Sequence, residues 1–169
     1  MATELYDLTV LVYLRGFAAM SAFLEKGRAY ADAQGIAQED LLSARLYDDM
    51  LPLTGQVQRA SDTAKFAAAR LSGIQGPSMP DTEASFDELL ARIAATVDFL
   101  NSVPREAIDG REDADIEVRT ARSSRQFKGL GYILGFAHPN FFFHVTTAYA
   151  ILRHKGVPVG KMDYLGGDR

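Results

Sequence analysis

The sequence predicts an all-α fold, a four-helix bundle that carries one small β-hairpin. Three observations predict it. Apolar residues recur at spacings of three and four in four separate segments, and glycine, proline or a charged run marks each gap between them. Strand-like alternation is confined to residues 103–129.

Tyr6, Val10, Tyr13, Phe17, Met20 and Leu24 step by four and three, with Asp7, Ser21, Glu25 and Arg28 off that line. Residues 3 to 34 therefore read as one long amphipathic helix, closed by Gly35. Ala37 to Met50 holds a short helical turn and a connection. A second helix spans about 51 to 72, with Leu53, Val57, Ala60, Ala64, Ala67 and Leu71 as its buried line and Gly73 as its stop. Its alanines let a neighbouring helix come close. Gln58, Asp62 and Lys65 lie on another face of it, expected to be solvated, where an Asp–Lys pair or a functional carboxylate is equally writable.

Gly76, Pro77 and Pro80 mark a loop. Ser85 and Glu88 then stand at capping-box spacing before Leu89, Leu90, Ile93, Val97 and Leu100, so a third helix occupies about 86 to 102 and Pro104 ends it. Beyond Asp109 and Gly110, alternation over Ile116 to Thr120 and Gln126 to Lys128 suggests a small hairpin. The last helical region runs from about 130 to 155 with a break at Pro139, and residues 157–169 form a tail packed along the bundle. Residues 1–169 are expected to form a single domain, because a chain of this length with 47% hydrophobic content fills one core and not two.

Composition narrows the function classes. A net charge of -4 with no Lys/Arg cluster gives no field for a phosphate backbone, so nucleic acid is not an expected partner. No apolar run reaches the eighteen or so residues of a membrane span, and the N-terminal LTVLVYL run is cut by Arg15 and lacks a leader pattern. The expected location is cytoplasmic, with no membrane partner. The chain has no cysteine, so disulfides, thiolate metal sites and a cysteine nucleophile are excluded. Gly129, Gly131 and Gly135 miss the dinucleotide fingerprint by one residue and lie outside any βαβ context. No nucleophile elbow surrounds a serine. No catalytic residue is assigned.

All three histidines and four of the ten phenylalanines lie between Gly135 and Pro158. Pro139 suits a first helical turn, so a helix begins there or restarts after a kink near His138. Phe141, Phe142, Val145, Ala148, Tyr149 and Leu152 draw its apolar stripe, and Gly156 with Pro158 ends it. Asn140, His144, Thr147 and Ile151 lie on a neighbouring face, which puts three polar side chains in a row on an apolar helix. His138 reads as a cap or kink, and His154, beside Arg153 and Lys155, as a favourable charge at the negative end of the helix dipole. The Phe141 to Phe143 triplet points in too many directions for one partner, so at least one ring lines a pocket or an interface.

DMLPLTGQVQ at 49–58, PNFFFHVTTAYAILRHKGVPVGK at 139–161 and DYLGG at 163–167 resemble an uncharacterised bacterial domain-of-unknown-function family allied with the DinB/YfiT-like helical bundles. The resemblance implies a DinB-like four-helix bundle of up-down-down-up connectivity, its hairpin between helices three and four, and frequent homodimerisation. It also implies a divalent metal on three histidines, one from the second helix and two at i, i+4 on the last, where residues four apart share one ion. His144 falls on the second histidine of that pair and Asn140 on the first, while the second helix holds no histidine and offers Gln56, Gln58 and Asp62.

The expectation is therefore a homodimer without a cofactor, its DinB-like metal site depleted, that binds a small molecule or is structural. His144, Asn140, Thr147, Asp62 and Gln58 are its candidate polar cluster. His144 is either an imidazole hydrogen-bonded across the bundle, to Asn140, Thr147 or Asp62, or part of a metal-free ligand pocket with its polar neighbours. The alternative is a divalent-metal-dependent transferase acting with a small thiol, its ion held at His144. A pure interaction module, an obligate dimer built on the exposed aromatic residues and tail, is a third reading.

Overall fold

Val10, Tyr13, Phe17, Met20 and Leu24 expose none of their surface, so the four-and-three spacing becomes the buried stripe of a helix. In this computed structural model, which describes residues 4–119 and 123–166, that helix is α1 (Val12–Gln34), preceded by a π-helical turn (Asp7–Leu11). Gly35, at φ 65°, closes it in the left-handed conformation that a glycine adopts without a Cβ penalty. The expectation that no apolar stretch reaches spanning length is corrected here, since Asp7–Gln34 is one helix of 28 residues, long and apolar enough to cross a membrane by length and composition. Arg15 does not cut the helix, and its apolar face is the one packed into the core.

After the short α2 (Gln38–Leu42), α3 (Leu53–Ser72) buries Leu53, Val57, Ala60, Ala64, Ala67 and Leu71 completely. Helix α4 (Phe86–Ser102) starts at Ser85, whose Oγ accepts from the Glu88 N–H at 3.1 Å, while the Glu88 carboxylate returns to the Ala84 N–H. Strands β1 (Asp115–Arg119) and β2 (Ser124–Lys128) pair antiparallel, with Ile116 opposite Phe127. Thr120 of the expected hairpin and Gly167 of the expected tail lie outside the described residues.

The last helical region is continuous but not uniform. It comprises α5 (Gly129–Tyr132), a π-helical turn (Ile133–Ala137) and α6 (His138–His154). The expected break at Pro139 is not a break: the His138 N–H reaches back five residues to the Ile133 carbonyl, and Ala137 and His138 both keep right-handed helical dihedrals. A wider turn accommodates the proline, which has no N–H to offer and whose ring crowds the preceding turn.

Helix α3 packs against both α4 and α6, and α1 packs against the same two. Phe141 of α6 sits edge-on to Tyr13 and Phe17 of α1, with ring centroids 4.8 and 5.2 Å apart. The loop 73–85 runs back along α3: Met79 Sδ lies 3.7 Å from Ser61 Oγ, Asp81 pairs with Arg59, and Glu83 accepts from Gln58. The tail forms α7 (Lys161–Leu165), which lies on α1 and is tied to it by a 2.6 Å contact between Lys26 Nζ and the Asp163 carboxylate.

Candidate functional site

Asn140 and His144 stand four positions apart on α6, so both side chains face the same neighbour, α3. The Asn140 amide donates to Thr63 Oγ1 at 2.7 Å, and the Thr63 hydroxyl donates in turn to the Arg59 carbonyl at 2.7 Å. His144 Nδ1 lies 2.8 Å from Gln56 Oε1. The Gln56 NH₂ group donates to the Leu51 carbonyl at 2.9 Å, so its oxygen faces the imidazole and must accept, which puts the ring proton on Nδ1. Burial first, and the positive charge of Arg59 second, push His144 from 6.5 down to about 4. The ring is therefore neutral at pH 7.

The expected partners of His144 were Asn140, Thr147 and Asp62; its partner is Gln56. Thr147 turns back into its own helix, donating to the Phe143 carbonyl at 2.7 Å, as hydroxyls in helix interiors commonly do. Gln58 and Asp62 belong to a different seam, between α3 and α4. The polar cluster expected from the sequence is thus divided between two faces of α3. Gln56 and Thr63 carry a faint signal of their role, seven residues apart on the helix facing His144 and Asn140.

The α3–α4 seam is built around Arg92, whose side chain is only 2% exposed. Its guanidinium meets Asp62 at 3.0 Å, Glu83 at 2.9 Å, Asp81 at 3.1 Å and the Pro80 carbonyl at 3.2 Å. Gln58 donates to the second oxygen of Glu83 at 2.8 Å, and Lys65 meets Asp62 at 3.1 Å. The face expected to be solvated is not: Gln58 and Lys65 are buried beneath the loop 73–85. Burial alone would raise the Glu83 carboxyl, but hydrogen bonds from Arg92 and Gln58 outweigh it and hold the group below its ordinary value. Each carboxylate here is held by a cation, so the seam fixes the loop and offers no poised acid or base.

The His138 side chain reaches out of its own helix. Its Nε2 donates to the Leu8 carbonyl at 2.6 Å, joining the π turn that precedes α6 to the π turn that begins the chain's first helix. Burial keeps this ring below its usual value as well, against the opposing pull of the Leu8 carbonyl. Beside it, α1, α6 and α7 enclose a hollow of about 400 Å³, to which neither His144 nor Asn140 contributes.

A helical bundle with a two-stranded ribbon, in which the last long helix presents His144 and Asn140 to α3, is a DinB-like protein. It is similar to the crystal structure of a DinB family member protein from Shewanella denitrificans, at 38% sequence identity and a TM-score of 0.88, over 97% of this chain and 93% of that one. The chain belongs to the family described as "Domain of unknown function (DUF1993)", whose model matches residues 5–165. No curated protein matches it.

Proposed function

We propose that this chain is a metal-free DinB-like bundle, a cytoplasmic homodimer that binds a small organic molecule, in which the metal position has become an interhelical hydrogen bond. The observation that carries the reading is the His144–Gln56 contact. The imidazole proton goes to Gln56, and the amides of Gln56 and Asn140 donate to Leu51 and Thr63, which leaves one ring nitrogen and the Asn140 oxygen as donors. Open divalent sites in proteins take about three protein ligands, dominated by imidazole and carboxylate. Among the described residues no group of three His, Asp or Glu side chains is placed to hold a metal ion, and this donor set does not fit such an ion.

Homodimer formation is supported by an apolar groove on the outer side of α6. Phe143, 55% exposed, lines it with Phe142, Leu46 and Met50. The directions of the helices follow from their contacts and support up-down-down-up connectivity in one domain spanning 1–169. Gln56 and Thr63 of α3 meet His144 and Asn140 in reverse order, so α3 opposes α6; Arg92 meets Asp62 while Phe99, farther along α4, flanks Gly76 together with Lys65, so α4 runs in the direction of α3. Tyr13 and Phe23 of α1 meet Phe141 and Tyr149 in the same order, which makes α1 and α6 parallel.

One preparation tests the reading. Protein purified without chelator or histidine tag is expected to carry far less than one equivalent of transition metal, to melt identically with and without EDTA, and to sediment as a dimer. A stoichiometric metal that disappears in His144→Ala would overturn it and favour a divalent-metal-dependent transferase acting with a small thiol. A monomer at all concentrations would remove the dimer alone.

A further inference from the structure

The hollow between α1, α6 and α7 is apolar over most of its wall, where Ala19, Val145, Phe142 and Leu165 meet, and it carries one cation, Arg15. Its volume of about 400 Å³ falls in the range of small-molecule pockets. The guanidinium has five N–H donors, and one of them reaches the Leu165 carbonyl at 3.3 Å. Among the described residues, Arg15 has no carboxylate within 4.0 Å. Lys26, which also lies beside α7, is taken by Asp163. His138 adds no charge, since its Nε2 proton is committed to Leu8 and its burial favours the neutral ring. Among the described residues the site is thus an apolar chamber with one positive fork at its edge that no carboxylate holds.

We propose that this hollow binds a small amphipathic monocarboxylate, its hydrocarbon body against Ala19, Val145 and Phe142 and its carboxylate on Arg15. A guanidinium and a carboxylate match as two parallel hydrogen bonds, and a single cation suits a monoanion better than a phosphate monoester dianion. The proposal rests on the small-ligand reading given above and is independent of metal content, so the metal analysis and the titration below fail separately.

The test uses the full chain with sodium octanoate and 3-phenylpropanoate as probes, followed by calorimetry and by amide chemical shifts. Saturable binding of one equivalent of at least one probe is expected, with shifts confined to α1, α6 and α7. Octanol, which lacks the charge, is expected to bind about tenfold more weakly or less, and so is octanoate to Arg15→Met, because a charge-assisted hydrogen bond is worth about one order of magnitude in affinity. Arg15 is exposed, so its replacement leaves the fold in place. Ala19→Leu, which narrows the chamber without touching the cation, is expected to weaken both probes. Absence of binding at millimolar probe, or binding indifferent to Arg15→Met, overturns the proposal.

Discussion

Arg92→Met is expected to destabilise the protein by about 3–5 kcal/mol, the range for removing one partner of a buried ion pair. Methionine keeps much of the bulk, so the loss reports charge and hydrogen bonding rather than a cavity. Asp62, Asp81 and Glu83 share the one guanidinium. Arg59 still reaches Asp62 and Asp81, and Lys65 still reaches Asp62, which leaves Glu83 the worst placed, with no cation and the Gln58 amide as its remaining side-chain partner. The loop 73–85 would then lose its hold on α4. In the native protein the Glu83 carboxyl titrates below its ordinary value, so its contribution is present above the unfolded carboxylate range and is lost as pH falls through the lower folded value. In the variant the carboxyl loses the arginine's pull and titrates higher than in the native protein, so acidification narrows the gap between the two. Urea unfolding at pH 7 and at pH 5 checks both points, and the gap between native and variant should be smaller at pH 5. A gap under about 1 kcal/mol at pH 7 would mean that the buried cation is not what secures this loop.

Gly129→Ala is expected to cost about 3 kcal/mol, at the upper end of what overpacking ordinarily does. A Cβ at this position would lie 2.0 Å from the Arg111 carbonyl oxygen and 3.2 Å from that of Glu112. Both obstacles are backbone, so no side-chain rotation relieves them. The same stretch is held from two other directions, by the Leu130 N–H on the Glu112 carbonyl at 2.9 Å and by Arg111 Nε on the Leu71 carbonyl at 3.2 Å. Relief of the clash must therefore part the beginning of α5 from the segment before the hairpin. Hydrogen exchange at Leu130 should accelerate together with the fall in denaturation midpoint. Gly131→Ala is the control: its Cβ would meet nothing within 4 Å, and alanine favours a helix over glycine, so the variant should be unchanged or slightly more stable.

The helices were legible because their apolar residues repeat at helical spacing and their ends carry glycine, proline or a capping serine. Gly35 and Gly73 take the left-handed conformations that their positions suggest, at φ 65° and 75°, and Ser85 caps α4. The π turns were not legible, since five residues of wider helix shift the side-chain period by less than the pattern resolves. Pro139 announced a disturbance, and only the bond from His138 to Ile133 shows which kind. The candidate site was half legible. His144 and Asn140 follow from their spacing on α6, whereas assigning Gln56 in place of Asp62 requires the rotation of α3 about its axis, which a single sequence leaves open. Arg92 illustrates the same difficulty from the other side. An arginine among Leu89, Ile93 and Leu100 reads as an exposed charge until the returning loop brings Asp81 and Glu83 over it.

The central claim is that His144 is a neutral imidazole whose Nδ1 proton is held by Gln56, in a donor set too small to hold a metal ion. Nitrogen NMR of the His144 ring, assigned by the signal missing in His144→Gln and followed across pH with and without one equivalent of zinc, tests it directly. The prediction is a single neutral tautomer with its proton on Nδ1 between about pH 6 and 8, a titration near 4 and no response to zinc. A ring that titrates near the ordinary 6.5, or whose nitrogen shifts move in proportion to added zinc, would contradict it.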